Sequence, residues 1–497
     1  MLKTLAVTAA LLCAGLAGAA TPGPAAIDAA HYASSRYDND MVATLAKLVS
    51  YNTVANDKIA FDQNPAHQGF KQYLKAEAAR LGFDFSDYGY VMVIGLGSGS
   101  DRLGIITHGD AQPVDPSKWV KSPFELDSTS VPGQLVARGA EDDKGPIASA
   151  LYAMKAIKDR QITLRKRIEL YVYMGEESDW DPLIAFLKTH TPPQMNITLD
   201  AEYPAVTAEK GWGLIGATFP LQAGSGKAPM VSAFGGGFFA SQIPEDAQAS
   251  IANATPALEA AIRARAAGQA GMKYQFAWSG STLNITGKGL AAHSSKPEDG
   301  VNAIAMVADA LAVQAWPDAG AGALVNFINE LLGTGLYGDK FGSIAYRDDF
   351  MGPMTVSPTV LKQTAGGIEL SINVRRPQGK VGVQLEREVR SALDQWQQRH
   401  GALADIKIQL SDPWLQQDAP QLPILMGVFA HFTGSPNPQP ISIGGGTNSR
   451  LFPHAVSFGP AMPKTVYTGH SEHEFITRKQ LLLNLEMYTA AMVELAH

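Results

Sequence analysis

The chain is nearly devoid of sulfur chemistry, since one cysteine, Cys13, occurs among its 497 residues. A disulfide framework and a thiolate metal site are therefore excluded, and any bound metal has to be held by nitrogen and oxygen. Basic clusters are equally scarce. No Lys/Arg run exceeds Arg165-Lys166-Arg167, and a net charge of -7 with a pI near 5.9 argues against a nucleic-acid partner. Beyond the first twenty residues no stretch is apolar enough to span a bilayer. With 45% hydrophobic and 18% charged residues, the composition is that of a folded chain, and the length suffices for two or three ordinary domains.

The N-terminus reads differently. Met1-Leu2-Lys3 precedes an apolar run from Leu5 to about Leu16, and the small residues Ala17, Gly18, Ala19 and Ala20 follow before Thr21-Pro22-Gly23. One positive charge, a short apolar core and an A-x-A-like end predict a cleavable signal peptide over residues 1–20. Cleavage after Ala19 or Ala20 would remove Cys13 and leave no thiol. Leu12 is not the small residue that a lipoprotein signal needs before its cysteine. The expectation is a periplasmic or secreted protein that keeps no membrane attachment.

After a Pro/Ala-rich leader, residues from about 40 to 210 alternate helix and strand patterns at α/β spacing. Phe70, Tyr73, Leu74, Ala78 and Leu81 recur at helical period with Gly82 as the stop. Strand-length apolar runs cover Tyr90 to Leu96, Leu103 to Thr107, Ile168 to Met174 and Ile197 to Leu199, and a helix starts near Pro146. From about Trp212 the texture turns Gly- and Ala-rich, and two strand-then-helix units follow. That pattern predicts a smaller α/β domain inserted into the first. The boundaries are 24–211 for the first part of the main domain, 212–411 for the insert and 412–497 for the return.

Five segments carry candidate chemistry. Four of them stand just after predicted strands or at a helix start, where ligands from several chain segments converge in an open α/β sheet. The first is Thr107-His108-Gly109-Asp110, in which the aspartate can fix the second ring nitrogen of a metal-bound imidazole. The second, Gly139-Ala140-Glu141-Asp142-Asp143-Lys144-Gly145-Pro146, sets acidic residues between glycines and a helix N-terminus. The third, Met174-Gly175-Glu176-Glu177, delivers adjacent carboxylates whose side chains diverge, so one can hold metal while the other stays free as a base. The fourth is Leu199-Asp200-Ala201-Glu202, and the fifth is Gly469-His470-Ser471-Glu472-His473-Glu474. Any one of them alone reads as a surface loop.

Together, in this order, they resemble the metallopeptidase family of acetylornithine deacetylase, succinyl-diaminopimelate desuccinylase and the PepV-type dipeptidases. The resemblance is nearest to the PepV type. It rests on Trp119 with Ser122-Pro123-Phe124-Glu125, Gly139 to Pro146, Asp200 to Pro204 with Glu209-Lys210-Gly211, and Ala292-His293 followed by Pro297, Gly300 and Asn302-Ala303. It implies a mixed-sheet, dizinc exopeptidase-type catalytic domain with an inserted α/β lid, and hydrolysis of short peptides by a water shared between two divalent ions. Zinc is the first choice, and manganese or cobalt would also fit.

Carried over residue by residue, the resemblance makes Asp142 the bridging carboxylate. The aspartate two residues before the lysine bridges in the family, which selects it over Asp143. His108 and Asp200 complete one metal site, Glu177 and His470 the other. Asp110 orients His108, and Glu176 is the general base. His293, in the lid, stabilises the oxyanion. Arg375 pairs with the substrate's terminal carboxylate, joined by backbone groups of Gly445, Gly446 and Thr447 in the run Gly444 to Thr447. Two departures matter. Asparagine is common in the family where His473 stands, which leaves that histidine as a rival ligand, and tyrosine is common where Arg376 follows Arg375. A lid of about 200 residues is associated in the PepV type with a monomer. An N-acyl amino acid deacylase on the same scaffold, or a peptide-binding protein without chemistry, are the competing functions.

Overall fold

The computed structural model describes residues 20–221 and 227–497, so the expected signal segment lies outside the described residues apart from Ala20. Local chemistry sets the elements. The Asn64 side chain accepts the N–H of Ala66 and His67 to open the helix Pro65–Leu81, and Gly82 at φ 79° closes it. Thr477 opens Arg478–Ala496 in the same way through the N–H of Gln480.

The leader is a correction to the sequence reading, because its Pro/Ala-rich stretch is the helix Pro24–Val49. Ala26, Ala29, Ala30 and Ala33 recur at steps of three and four and are fully buried. These small residues let the helix lie against Lys144–Asp159 and Arg478–Ala496. The periodicity was present in the alanines, and composition masked it.

Nine strands form the main sheet, in the order Asp84–Asp87, Val91–Leu96, Arg167–Tyr173, Arg102–His108, Met195–Thr198, Val456–Ser457, Val206–Glu209 and Trp414–Leu415, with Ile441–Ile443 also paired to Val206–Glu209. The sheet is mixed. Its central trio, Arg167–Tyr173, Arg102–His108 and Met195–Thr198, is parallel, so all three end at one edge. Alternate residues divide between two cores: Met92, Ile94, Leu170 and Val172 face the large helical core, whereas Val91, Val93, Tyr171 and Tyr173 pack with Leu183 of the helix Asp181–Thr189.

A second sheet is inserted after Glu209. Its eight strands run in the order Lys273–Ser279, Thr282–Lys288, Asp246–Ala252, Met230–Gly236, Thr355–Gln363, Ile368–Arg376, Gly211–Phe219 and Ala404–Leu410. Every ladder in it is antiparallel. The helices Pro256–Ala266, Ala303–Ala310, Gly320–Phe327 and Gly382–His400 share its core. The strand-then-helix units read from sequence thus pack on an antiparallel sheet. Lys210 alone joins the last residue of one sheet's strand, Glu209, to the first residue of the other's, Gly211. A short ribbon pairs Gln242–Ile243 with Ala292–His293 and reaches back towards the main domain, where the Gln242 amide donates to the His470 carbonyl at 3.0 Å.

Candidate metal centre and active site

The parallel trio explains why distant segments meet. His108 is the last residue of its strand, Glu176 and Glu177 follow the neighbouring strand on one side, and Asp200 follows the neighbour on the other. Asp142 arrives from the loop that opens the helix Lys144–Asp159. The peptide bond between Asp142 and Asp143 is cis. His470 sits in the loop before the strand Phe475–Thr477 with φ at 64°, a left-handed conformation uncommon outside glycine.

Asp142 stands between the two imidazoles. Its Oδ1 lies 2.9 Å from His108 Nε2, and its Oδ2 lies 3.2 Å from His470 Nε2. Asp200 Oδ1 is 3.7 Å from His108 Nε2, and Glu177 Oε1 is 3.0 Å from His470 Nε2. Two overlapping groups, His108 with Asp142 and Glu177, and His108 with Glu176 and Asp200, each gather their ligand atoms within 4.8 Å. Burial pushes the Glu176 carboxyl well above its ordinary range, helped by the Asp200 charge, and raises Asp200 to about 7. At Asp142 burial acts in the same upward direction, but His108 and His470 outweigh it and hold the carboxyl well below the usual value. One buried and three half-buried carboxylates form, with two imidazoles, an electron-rich set of oxygen and nitrogen donors. That set fits a pair of divalent cations, whose charge would offset the mutual repulsion and keep the carboxylates ionised.

Two acidic side chains lock the loops that carry this cage. Glu474 is fully buried and accepts the N–H groups of Gly139, Glu141 and Asp142 at 2.9–3.1 Å together with Arg138 at 2.7 Å. Glu141 returns the grip, accepting the N–H and hydroxyl of Thr468 at 2.8 Å and the N–H of Gly469 at 3.2 Å. Each loop therefore supplies the carboxylate that orders the other, which fixes Asp142 against His470. Tyr467 adds a hydroxyl donated to Asp142 Oδ2 at 2.5 Å.

Asp110 acts mainly on the glutamates. Its two oxygens accept the N–H groups of Glu176 and Glu177, both at 3.0 Å, and its Oδ1 lies 3.4 Å from His108 Nδ1. Glu176 Oε1 accepts from Asn448 Nδ2 at 3.0 Å, and Glu177 Oε2 from Gln112 Nε2 at 2.6 Å.

The inserted sheet closes the site as a lid. The His293 ring lies 4.6 Å from that of His470, centroid to centroid. The N–H of Ser295 donates to His293 Nδ1 at 3.2 Å, which leaves the ring proton on Nε2. Burial keeps that ring neutral, with its pKa well below the ordinary value. Arg375 is buried, held by Asn373 Oδ1 at 3.0 Å and by the Ser294 hydroxyl at 3.1 Å, with no acidic partner among the described residues. Both residues line a cavity of about 580 Å³ that also contains Asp142, Glu176, Glu177, Asp200 and His470.

The alternatives left by the sequence separate in space. Arg376 turns away, donating to the Ser411 carbonyl at 2.9 Å and to Asp412 at 2.8 Å. His473 is exposed and is not part of the cavity wall. Gly445, Gly446 and Thr447 do line the cavity, but the N–H and hydroxyl of Thr447 are both donated to the buried Glu209, at 3.1 and 2.5 Å. Thr447 thus shapes the loop with groups that are already engaged. Sequence reasoning missed Glu141 as a loop lock although it adjoins Asp142. It also missed Gln112, Asn448 and Tyr467, for which the sequence carries no signal.

The Peptidase family M20/M25/M40 model matches residues 104–494. The Beta-Ala-Xaa dipeptidase of Lactobacillus delbrueckii subsp. lactis is 30% identical over 425 residues, covering 84% of this chain and 87% of that protein. Among solved structures, human carnosine dipeptidase 1 superposes with a TM-score of 0.60 at 15% identity, covering 96% of this chain and 99% of that one. Dug1p of Saccharomyces cerevisiae gives 0.57 at 12%, covering 94% and 98%. At such identities these two speak for the fold. The family model and the dipeptidase relative carry the rest: the chain belongs to peptidase family M20/M25/M40, as a two-metal dipeptidase of the PepV type.

Proposed function

We propose that this hydrolase cleaves unblocked dipeptides with Glu176 as the proton carrier, in a site built by one chain. The observation that carries the reading is the cage in which Asp142 divides its two oxygens between His108 and His470, with the Glu176 side chain beside it accepting a hydrogen bond from the Asn448 amide. His108, Asp142 and Asp200 would hold one ion, and Glu177, Asp142 and His470 the other. When bound, the ions lower the pKa of water and polarise the scissile carbonyl. Zinc suits the donor set best.

The chain's own residues do the remainder. Glu176 takes the proton of the attacking water and hands it to the leaving amine nitrogen. His293, with its proton on Nε2, donates to the carbonyl oxygen as negative charge develops there. Arg375 holds the terminal carboxylate through its guanidinium, and Gly445 and Gly446 line the same cavity. The placement of His293 and Arg375 in the cavity with the candidate metal ligands, all within a single chain, supports a monomer. The N-terminal pattern supports export, with cleavage near Ala19 or Ala20. Mass spectrometry of the mature N-terminus tests the export claim, and a retained Met1 contradicts it.

The deciding assay compares free dipeptides with N-acetyl amino acids, with and without chelator, followed by zinc add-back. Chelator-sensitive cleavage of the dipeptides, restored by zinc, is expected. Preference for the N-acetyl substrates would overturn the dipeptidase reading in favour of a deacylase.

A further inference from the structure

Four long cationic side chains line the cavity: Lys210, Lys296, Arg375 and Arg450. Two are neutralised in place. Lys296 pairs with Glu202 at 2.7 Å and Arg450 with Glu209 at 3.0 Å. The other two are not. Arg375 touches only the neutral groups of Asn373, Ser294 and Ser241, and Lys210 Nζ donates to the Pro353 carbonyl at 2.5 Å. Both are buried, at 4% and 7% exposure. Among the described residues neither forms an ion pair. The Glu298 charge reaches Lys210 only from beyond ion-pair distance. A buried cation without a salt-bridge partner is costly, so a pair of them in one cavity marks a place for two negative charges.

Their common wall is set by the chain path. Arg375 stands opposite Trp212 in the ladder, and Arg376 opposite Gly211. Directly opposed residues share a face, and Lys210, the link residue just before that strand, lines the same cavity as Trp212 and Arg375. Trp212 lines the same cavity, whereas Arg376 on the other face bonds to Asp412. Two such cations in one cavity suit the two carboxylates of an acidic residue, one on the main chain and one on a short side chain.

We propose that the cavity selects peptides whose C-terminal residue is aspartate or glutamate, with Arg375 taking the main-chain carboxylate and Lys210 the side-chain carboxylate. The proposal rests on the dipeptidase reading and on Arg375 as its carboxylate anchor. Lys210 is then a specificity-determining residue at the seam between the two sheets. A neutral C-terminal residue satisfies Arg375 and leaves Lys210 unmatched.

The test uses the full-length, zinc-loaded enzyme and isosteric pairs, Ala-Glu against Ala-Gln and Ala-Asp against Ala-Asn. A charge-assisted contact made in one member only predicts a kcat/KM ratio of roughly ten or more in favour of the acid. Lys210→Met should collapse that ratio towards one, and Lys210→Arg should restore most of it. A wild-type ratio near or below one overturns the proposal even if no variant folds. Equal loss on both members in Lys210→Met also overturns it, because the lysine would then serve the main-chain carboxylate or the fold. Cleavage of Ala-Gln without preference leaves the dipeptidase reading standing; absence of chelator-sensitive cleavage across the whole panel removes both.

Discussion

Replacing Glu176 by glutamine isolates proton transfer from everything else the residue does. The backbone N–H of Glu176 is held by Asp110 and does not depend on the side chain. Its Oε1 accepts one hydrogen bond, from Asn448 Nδ2, and a glutamine oxygen accepts the same bond. The assigned cage residues, His108, Asp142, Glu177, Asp200 and His470, remain intact. What disappears is a basic oxygen able to take a proton from water. Positioned acid–base groups contribute about 10²- to 10⁴-fold, which is roughly 3–5 kcal/mol of barrier at about 1.4 kcal/mol per decade. Glu176→Gln should therefore lower kcat by that factor, while two equivalents of metal still bind and thermal stability holds. Stopped assays with a chromogenic amine readout, run beside metal analysis of the same sample, make the comparison. Turnover within tenfold of wild type would refute the assignment of the base. Loss of one metal equivalent would refute it differently, by making Glu176 a ligand, a possibility raised by its grouping with His108 and Asp200.

Three further outcomes follow from the same geometry. Glu474→Ala strips a fully buried acceptor from Arg138 and three backbone N–H groups, and breaking such a pair costs about 3–5 kcal/mol; urea unfolding yielding less than about 1 kcal/mol would contradict the loop-locking role. Arg375→Met should raise KM for a free dipeptide by about tenfold or more and change little for the corresponding dipeptide amide; equal effects on both would remove the carboxylate contact. Glu77 reports on acid stability, because burial raises its carboxyl but Arg80, Thr44 and Tyr152 outweigh it and hold the pKa low. Its contribution is complete above the unfolded value of about 4.3 and is lost as acid protonates the folded carboxylate below that. Glu77→Gln should lower Tm at neutral pH and flatten the fall between pH 5 and 2; parallel Tm profiles would count against it.

The legible parts of the site share one property: each residue type and its position after a strand or at a helix start say the same thing. His108, Glu176, Glu177 and Asp200 end or follow strands whose apolar runs are unmistakable, and the parallel trio then brings them to one edge. The N-terminal helix was hidden for the opposite reason. Its buried face is alanine, whose spacing carries the pattern while its small size makes the stretch read as composition alone. The antiparallel character of the lid sheet was hidden as well, since strand pairing between Gly211–Phe219 and Ile368–Arg376 joins residues 149 to 165 positions apart in the numbering.

What remained out of reach is the set of contacts that exist only after folding. Glu474 stood in the sequence reading merely as the end of the fifth segment, yet its carboxylate organises the turn that presents Asp142, and Glu141 organises the turn that presents His470. Neither interaction has a spacing rule, because the partners lie more than 320 residues apart. The reciprocity bears on how the proposed metal ligands are positioned. If one loop moves, its own ligand shifts and the carboxylate that orders the other ligand's loop shifts with it. Asp142 and His470 are therefore placed by one reciprocal set of contacts, and the proposed bridging position needs both turns in place. The ribbon reinforces this from the lid side, since Gln242 holds the His470 carbonyl and stands opposite His293 in the ladder. The position of His293 and the backbone conformation of His470 are thereby tied to a single pair of strands.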